Sequence, residues 1–198
     1  MKKQFELTSK INKIKMTTKL LMALMFLTCI AYGQTPESST TSKGTNPKWK
    51  TFDGINYSIQ YPPEWELNQS GQMGTTLILF SALESNQDQF KENVNLLIQD
   101  LTGHNIDLDK FTEISEGQVK TMITNSTLIE SKRIKAGSDE YHRIIYTGDQ
   151  GVYHLKFEQY YWVKNEKAYV LTLTCEEEKF NDYKEIGEGI LNSFIFKK

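Results

Sequence analysis

The chain has 198 residues, with 23 basic and 25 acidic side chains, 38% hydrophobic residues and two cysteines. Its N-terminal pattern predicts cleavage, which would remove six lysines and Glu6 and leave 165 residues with 17 basic and 24 acidic groups, a net charge of −7. So acidic a product has no clustered Lys/Arg footprint for nucleic acid or anionic lipid, yet it is long enough for one domain with a core.

Lys2, Lys3, Lys10, Lys13, Lys15 and Lys19 lead into an apolar run from Leu20 to Ile30, and Ala31-Tyr32-Gly33 precede Gln34. Charged, apolar and small-residue regions in that order predict a secretory signal peptide over residues 1–33. The apolar run falls short of the ~20 residues a spanning helix needs. The mature chain is therefore expected to be periplasmic or secreted, with no transmembrane segment. Met16 is an alternative start, and a short membrane anchor is the rival reading. A lipoprotein acylated at Cys29 is a second rival, but Phe26-Leu27-Thr28 lacks the small residue such sites place just before the cysteine. Loss of Cys29 with the leader would leave Cys175 without an intrachain partner.

Residues 34–48, rich in Ser, Thr, Gly and Pro with no large apolar side chain, are expected to form a flexible linker. Residues 49–198 are expected to form a single domain. Tyr57–Tyr61 alternates with period two and stops at Pro62-Pro63, because proline cannot donate to a ladder. Thr75–Leu83 and Val94–Leu101 follow as strands. From Asp107, an N-cap candidate, Leu108, Phe111, Ser115, Val119 and Met122 fall at helical spacing. Strands return at 127–134, 141–147, 152–163 and 168–175, joined by short polar turns that imply antiparallel neighbours. A last helix carries the stripe Tyr183, Ile186, Ile190 and Phe194, weakened by Gly187 and Gly189. The sum is an α+β domain, mostly antiparallel sheet with packed helices.

The chemistry-bearing candidates are Cys175, His104, His142 and His154. Pairing Thr147 with Val152 puts His142 opposite Phe157 and sends His142 and His154 to opposite faces. A three-residue turn pairing Val163 with Tyr169 puts Cys175 opposite Phe157. Cys175 then shares a face with His142 but stands two strands away, ~9–10 Å, too far for a Cys–His dyad. Glu176-Glu177-Glu178 reads as a solvated helix entry. Phosphate-loop, dinucleotide, serine-elbow and HExxH patterns are absent. No catalytic, cofactor or metal residue is therefore assigned.

The remaining candidates for a partner surface are Tyr141, Arg143, Tyr160 and Trp162, on the same sheet face as His154, Lys156 and Glu158. Aromatics and Arg are enriched at interfaces; the alternative is that a loop or the N-terminal segment covers this face.

Three segments together resemble PsbP-like domains, the family of the photosystem II extrinsic protein and its bacterial relatives. They are Tyr57-Ser58-Ile59-Gln60-Tyr61-Pro62-Pro63-Glu64-Trp65, Phe90-Lys91-Glu92-Asn93-Val94-Asn95, and Ala168–Thr172 through Phe180 to Ile190-Leu191-Asn192-Ser193-Phe194. The resemblance spans about residues 49–196 and implies an antiparallel sheet sandwiched between helices, an α/β/α arrangement. Some photosystem members bind a divalent metal through a histidine and an acid, but no motif here receives those ligands. The expected function is an exported, non-catalytic binding or accessory module of the cell envelope, acting on an envelope protein or small ligand. The alternatives are a carboxylate-dependent hydrolase and a lipid-anchored structural envelope protein.

Overall fold

The strands expected at 127–134, 141–147 and 168–175 run longer than their period-two signals suggested, because their hairpins close on two-residue loops, whereas the strand expected over Thr75–Leu83 is confined to Leu77–Phe80. A computed structural model describes residues 49–137 and 139–197; the signal peptide and linker expected over residues 1–48 lie outside the described residues. Among these described residues ten strands and two α-helices follow in order, with short 3-10 turns at Gln72–Gly74 and Glu177–Lys179. They are β1 (Lys50–Asp53), β2 (Tyr57–Tyr61), β3 (Glu66–Asn68), β4 (Leu77–Phe80), β5 (Asn93–Asp100), α1 (Leu108–Met122), β6 (Thr124–Ala136), β7 (Asp139–Gln150), β8 (Tyr153–Lys164), β9 (Lys167–Glu176), α2 (Phe180–Asn192) and β10 (Ile195–Phe196).

A seven-stranded sheet has the order β3-β4-β5-β9-β8-β7-β6, and a three-stranded sheet the order β1-β2-β10. All the strand pairs are antiparallel. One face of the large sheet packs on α1 through Phe111, Val119, Ile144, Tyr146, Phe157 and Tyr161. The other packs on α2 and the small sheet through Leu171, Leu173, Trp162, Ile190, Phe194, Tyr57 and Ile59. This is the sandwich the family resemblance implied. It also explains the nearly continuous apolar run of β5, a central strand buried on both faces.

The helices start and pack for identifiable reasons. Asp107 caps α1, its side chain accepting from the Lys110 amide at 2.8 Å. In α2 the glycines permit contact: a Cβ on Gly187 would lie 2.5 Å from Leu173, and one on Gly189 would lie 2.8 Å from Trp49. The propensity they sacrifice brings the helix down onto β9 and onto the start of the domain.

Two expected registers are corrected. The β7–β8 turn is Gly151-Val152, and Gln150 pairs with Tyr153, so His142 faces Tyr161 and not Phe157. This is a four-residue shift and leaves the faces unchanged. The β8–β9 turn is Asn165-Glu166, with Lys164 paired to Lys167, so Cys175 lies opposite Lys156. That shift is odd, and it moves Cys175 to the opposite face from His142. Strands β1, β3 and β10 have two to four residues each, too short to show a period.

Gly187→Ala is expected to cost about 1–3 kcal/mol through overpacking. Gly117→Ala, on α1 with nothing near its virtual Cβ, should gain roughly 0.5–1 kcal/mol. Urea denaturation of both variants checks the pair; changes of opposite sign are required, and a stabilised Gly187 variant would refute the close-approach argument.

Candidate functional site

Most of the side chains that suggested chemistry are disposed against it. Cys175 is fully buried under α2; burial pushes its thiol well up, helped by the carboxylates of Glu92 and Glu158. A thiol held protonated is no nucleophile. His104 lies exposed beyond the end of β5. His142 Nε2 lies 2.7 Å from Ser131 Oγ, and Ser131 in turn donates to Glu116 on α1. A carboxylate can only accept, so the serine proton points to Glu116 and His142 donates to the serine oxygen. This reverses the direction a nucleophile–base pair needs. Burial, then the charge of Arg133, lowers the His142 pKa.

His154 sits at the other end of β7–β8, on the opposite sheet face from His142. Its Nδ1 is 2.5 Å from Asp149 and its Nε2 2.9 Å from Glu177. Both ring nitrogens donate only in the imidazolium, so the hydrogen bond to Asp149, with Glu177 adding, raises its pKa. The two carboxylates lie on different nitrogens of one ring and form no common cradle. Among the described residues, no group of three or more His, Cys, Asp or Glu could hold a metal ion.

Two carboxylates are deeply buried. Glu92, 2% exposed, is pushed up to about 7 by burial, with Asp88, Glu84 and Glu176 adding repulsion. Glu158 is fully buried, with Arg143 Nε 2.8 Å away. Burial raises the Glu158 carboxyl and the guanidinium opposes the rise. Arg143 also reaches Glu130 and Glu188, both at 3.4 Å, which ties α2 to β6, β7 and β8.

The four surface candidates are brought together, but not as an open face. Tyr160 and Trp162 are 4% and 7% exposed, while Tyr141 and Arg143 are half-buried. What covers them is α2 and the C-terminal residues after it, not a loop or the N-terminal segment alone. Tyr141 stacks on Tyr160 with centroids 4.6 Å apart, and Trp162 lies 5.0 Å from Phe194 and 6.1 Å from Phe196. At the Asp139 end of β7 this packing leaves a cleft of two adjoining cavities.

One, about 210 Å³, is lined by Tyr141, Tyr160, Trp162, Phe194, Phe196 and Asp139, with Leu191, Asn192 and Ile195 at its edge. The other, about 280 Å³, shares Asp139, Trp162 and Phe196 and adds Arg133, Glu140 and Lys164. Glu92 and Glu158 line neither cavity. Sequence reasoning found Tyr141, Tyr160 and Trp162 but missed Asp139, Phe194 and Phe196. The signal available for those was the aromatic pair flanking Ile195, which follows the last helix.

Comparison with solved structures shows the PsbP-like fold. The chain superposes on the cyanobacterial PsbP protein (CyanoP) of Synechocystis sp. PCC 6803 with a TM-score of 0.54 and 14% identity, over 81% of this chain and 98% of that one. It superposes on LpqN of Mycobacterium tuberculosis with a TM-score of 0.58 and 12% identity, over 76% of this chain and 91% of that one. No family model and no curated protein matches the sequence.

Arg143→Leu strands the Glu158 carboxylate and should cost about 3–5 kcal/mol at pH 8. At pH 5 the loss should be smaller, because Glu158 takes up a proton when its folded pKa is raised. Denaturation at the two pH values checks this; a pH-independent loss would refute it. The His154 ring should titrate above the ordinary histidine value and drop on Asp149→Asn, as followed by NMR. Because its folded pKa is raised, its contribution is complete below the unfolded pKa near 6.5 and fades as pH rises through the folded value.

Proposed function

We propose that this domain is an exported, non-catalytic accessory module of the cell envelope that holds a partner protein at the aromatic cleft. The observation that carries this reading is the cleft itself. Aromatic side chains and a carboxylate converge there, and no nucleophile–base pair lines it. Buried aromatic anchors beside a polar rim are how proteins fasten partners. The solved structure of LpqN is described as a protein involved in cell envelope biogenesis, and the shared fold supports a comparable setting here.

The N-terminal charge pattern supports export. No helix among the described residues is long and apolar enough to cross a membrane. A carboxylate-dependent hydrolase is less well supported. It needs two acids facing a substrate; Glu92 and Glu158 are enclosed between the sheet and α2, and the acids that line the cleft, Asp139 and Glu140, are paired with Lys164 and Arg133.

The test uses the full chain with its own leader, in its own cells. A photocrosslinking residue at Ile195, on the cleft edge and 59% exposed, is compared with one at Val152, 92% exposed at the far end of β7. A defined envelope-protein adduct from position 195 and none from 152 is expected. A chain retained in the cytosol, or equal adducts from both positions, would overturn the reading. Intact mass should give Gln34 as the first residue; an acylated Cys29 would establish the lipid-anchored alternative.

A further inference from the structure

The two cavities of the cleft differ in charge. The 210 Å³ cavity has Asp139 as its charged lining residue and presents five aromatic rings. Aromatic faces carry negative quadrupole density, which attracts a cation placed over the ring. The half-exposed carboxylate of Asp139 at the mouth adds to that attraction. The volume lies below the roughly 300–1,000 Å³ of sites that enclose a drug-sized molecule, so the cavity takes one functional group and not a whole metabolite.

The adjoining cavity holds one such group of the chain's own. Lys164 Nζ lies 4.4 Å from the centroid of Phe196 and 3.6 Å from Asp139. The chain thus already seats a lysine ammonium on the ring and the carboxylate that both cavities share. The same pair is open to the 210 Å³ side, where Tyr141, Tyr160, Trp162 and Phe194 complete the enclosure.

We propose that the 210 Å³ cavity is an ammonium site that receives a lysine side chain of the partner protein, a conclusion that rests on the docking role proposed above. The four-carbon stem would lie along Leu191 and Ile195 at the cavity edge, and the compact charge would sit among the rings beside Asp139. Lysine also suits the charge balance, since residues 34–198 are net acidic and oppositely charged partners are steered toward such a surface. Lys164 competes with the incoming group for Asp139, so the site carries its own brake on affinity.

The test is titration of the isotopically labelled protein with a short Gly/Ser peptide carrying one central lysine. The readouts are the Trp162 indole and Phe196 ring resonances. Dose-dependent shifts are expected with this peptide and none with the same peptide carrying norleucine, which keeps the stem and removes the charge. Asp139→Asn should weaken binding roughly tenfold, and Lys164→Gln should strengthen it about threefold. Phe196→Leu keeps the volume apolar while removing the ring, and should also weaken binding without unfolding the chain.

Equal shifts from the norleucine peptide would overturn the proposal, as would an Asp139→Asn variant that binds as well as the parent. Binding of tetramethylammonium without binding of the lysine peptide would overturn lysine as the source. The docking role and the ammonium site fail separately. A crosslink from Ile195 that survives Asp139→Asn undiminished keeps the docking face and removes the ammonium site, while loss of the crosslink in the parent removes the docking face.

Discussion

The parity of the large sheet hangs on the two residues Asn165-Glu166. Both have positive φ, 51° and 54°, the backbone a two-residue hairpin turn needs to match strand twist. Asparagine tolerates that conformation; glutamate does so only under constraint. The constraint is visible: the Glu166 carbonyl accepts from the Leu101 amide at 2.8 Å, holding the turn against the end of β5. A three-residue turn would slip β9 by one position and exchange its faces. Leu171, Leu173 and Cys175 would leave α2, and the polar Thr172 and Thr174 would replace them in that layer. The bed on which α2 rests would be lost.

Once β9 and β8 are in register, Glu158, Tyr160 and Trp162 must face α2 together. Burying a carboxylate there is costly unless it is paired, and Arg143 is delivered opposite Tyr160 by the β7–β8 pairing. The ion pair is then a consequence of the strand order, and Glu188 on α2 completes it from above. A buried pair of this kind contributes little net stability compared with apolar packing. Its effect is positional: α2 has one rotational setting in which Glu188 meets Arg143 while Gly187 sits over Leu173.

The elements with a long, clean period were legible in the sequence. The amphipathic stripe of α1, the Asp107 cap, the Pro62-Pro63 stop after β2 and the stripe of α2 through Ile190 all follow from local chemistry, and the structure reproduces them; Phe194, expected on that stripe, lies beyond the end of the helix at Asn192. The register of β9 was not legible, because Lys164-Asn165-Glu166-Lys167 has no glycine to mark the turn positions, and the contact that fixes it comes from residue 101. Burial of the Tyr141–Trp162 face was hidden for a related reason. In a sheet covered on both sides, one face can mix aromatics with charges and still be interior, provided that the charges pair. The alternation that usually separates inside from outside then separates two insides. The cleft was half legible: its floor lies in β7 and β8, but its far wall belongs to β10, a strand of two residues.

That far wall gives the cleft its character. Phe194 and Phe196 are held by α2 on one side and by the pairing of Ile195 with Ser58 and Phe196 with Tyr57 on the other. The last tie is Lys197, whose amide donates to the Asn56 carbonyl at 2.9 Å and whose ammonium lies 3.0 Å from Asp53. Ring packing adds to these ties: Phe194, 6% exposed, lies against Tyr57, Trp162 and Tyr169, and Phe196 lies 4.9 Å from Tyr169. The floor of the cleft is rigid, since Tyr160 and Trp162 are sheet residues packed from both sides. The wall and the floor are parts of one aromatic cluster, so a group that bridges Asp139 to Phe196 would bear on that cluster directly. The C-terminal segment is therefore part of the site, and its two phenylalanines are the groups through which an occupant would be felt by the rest of the domain.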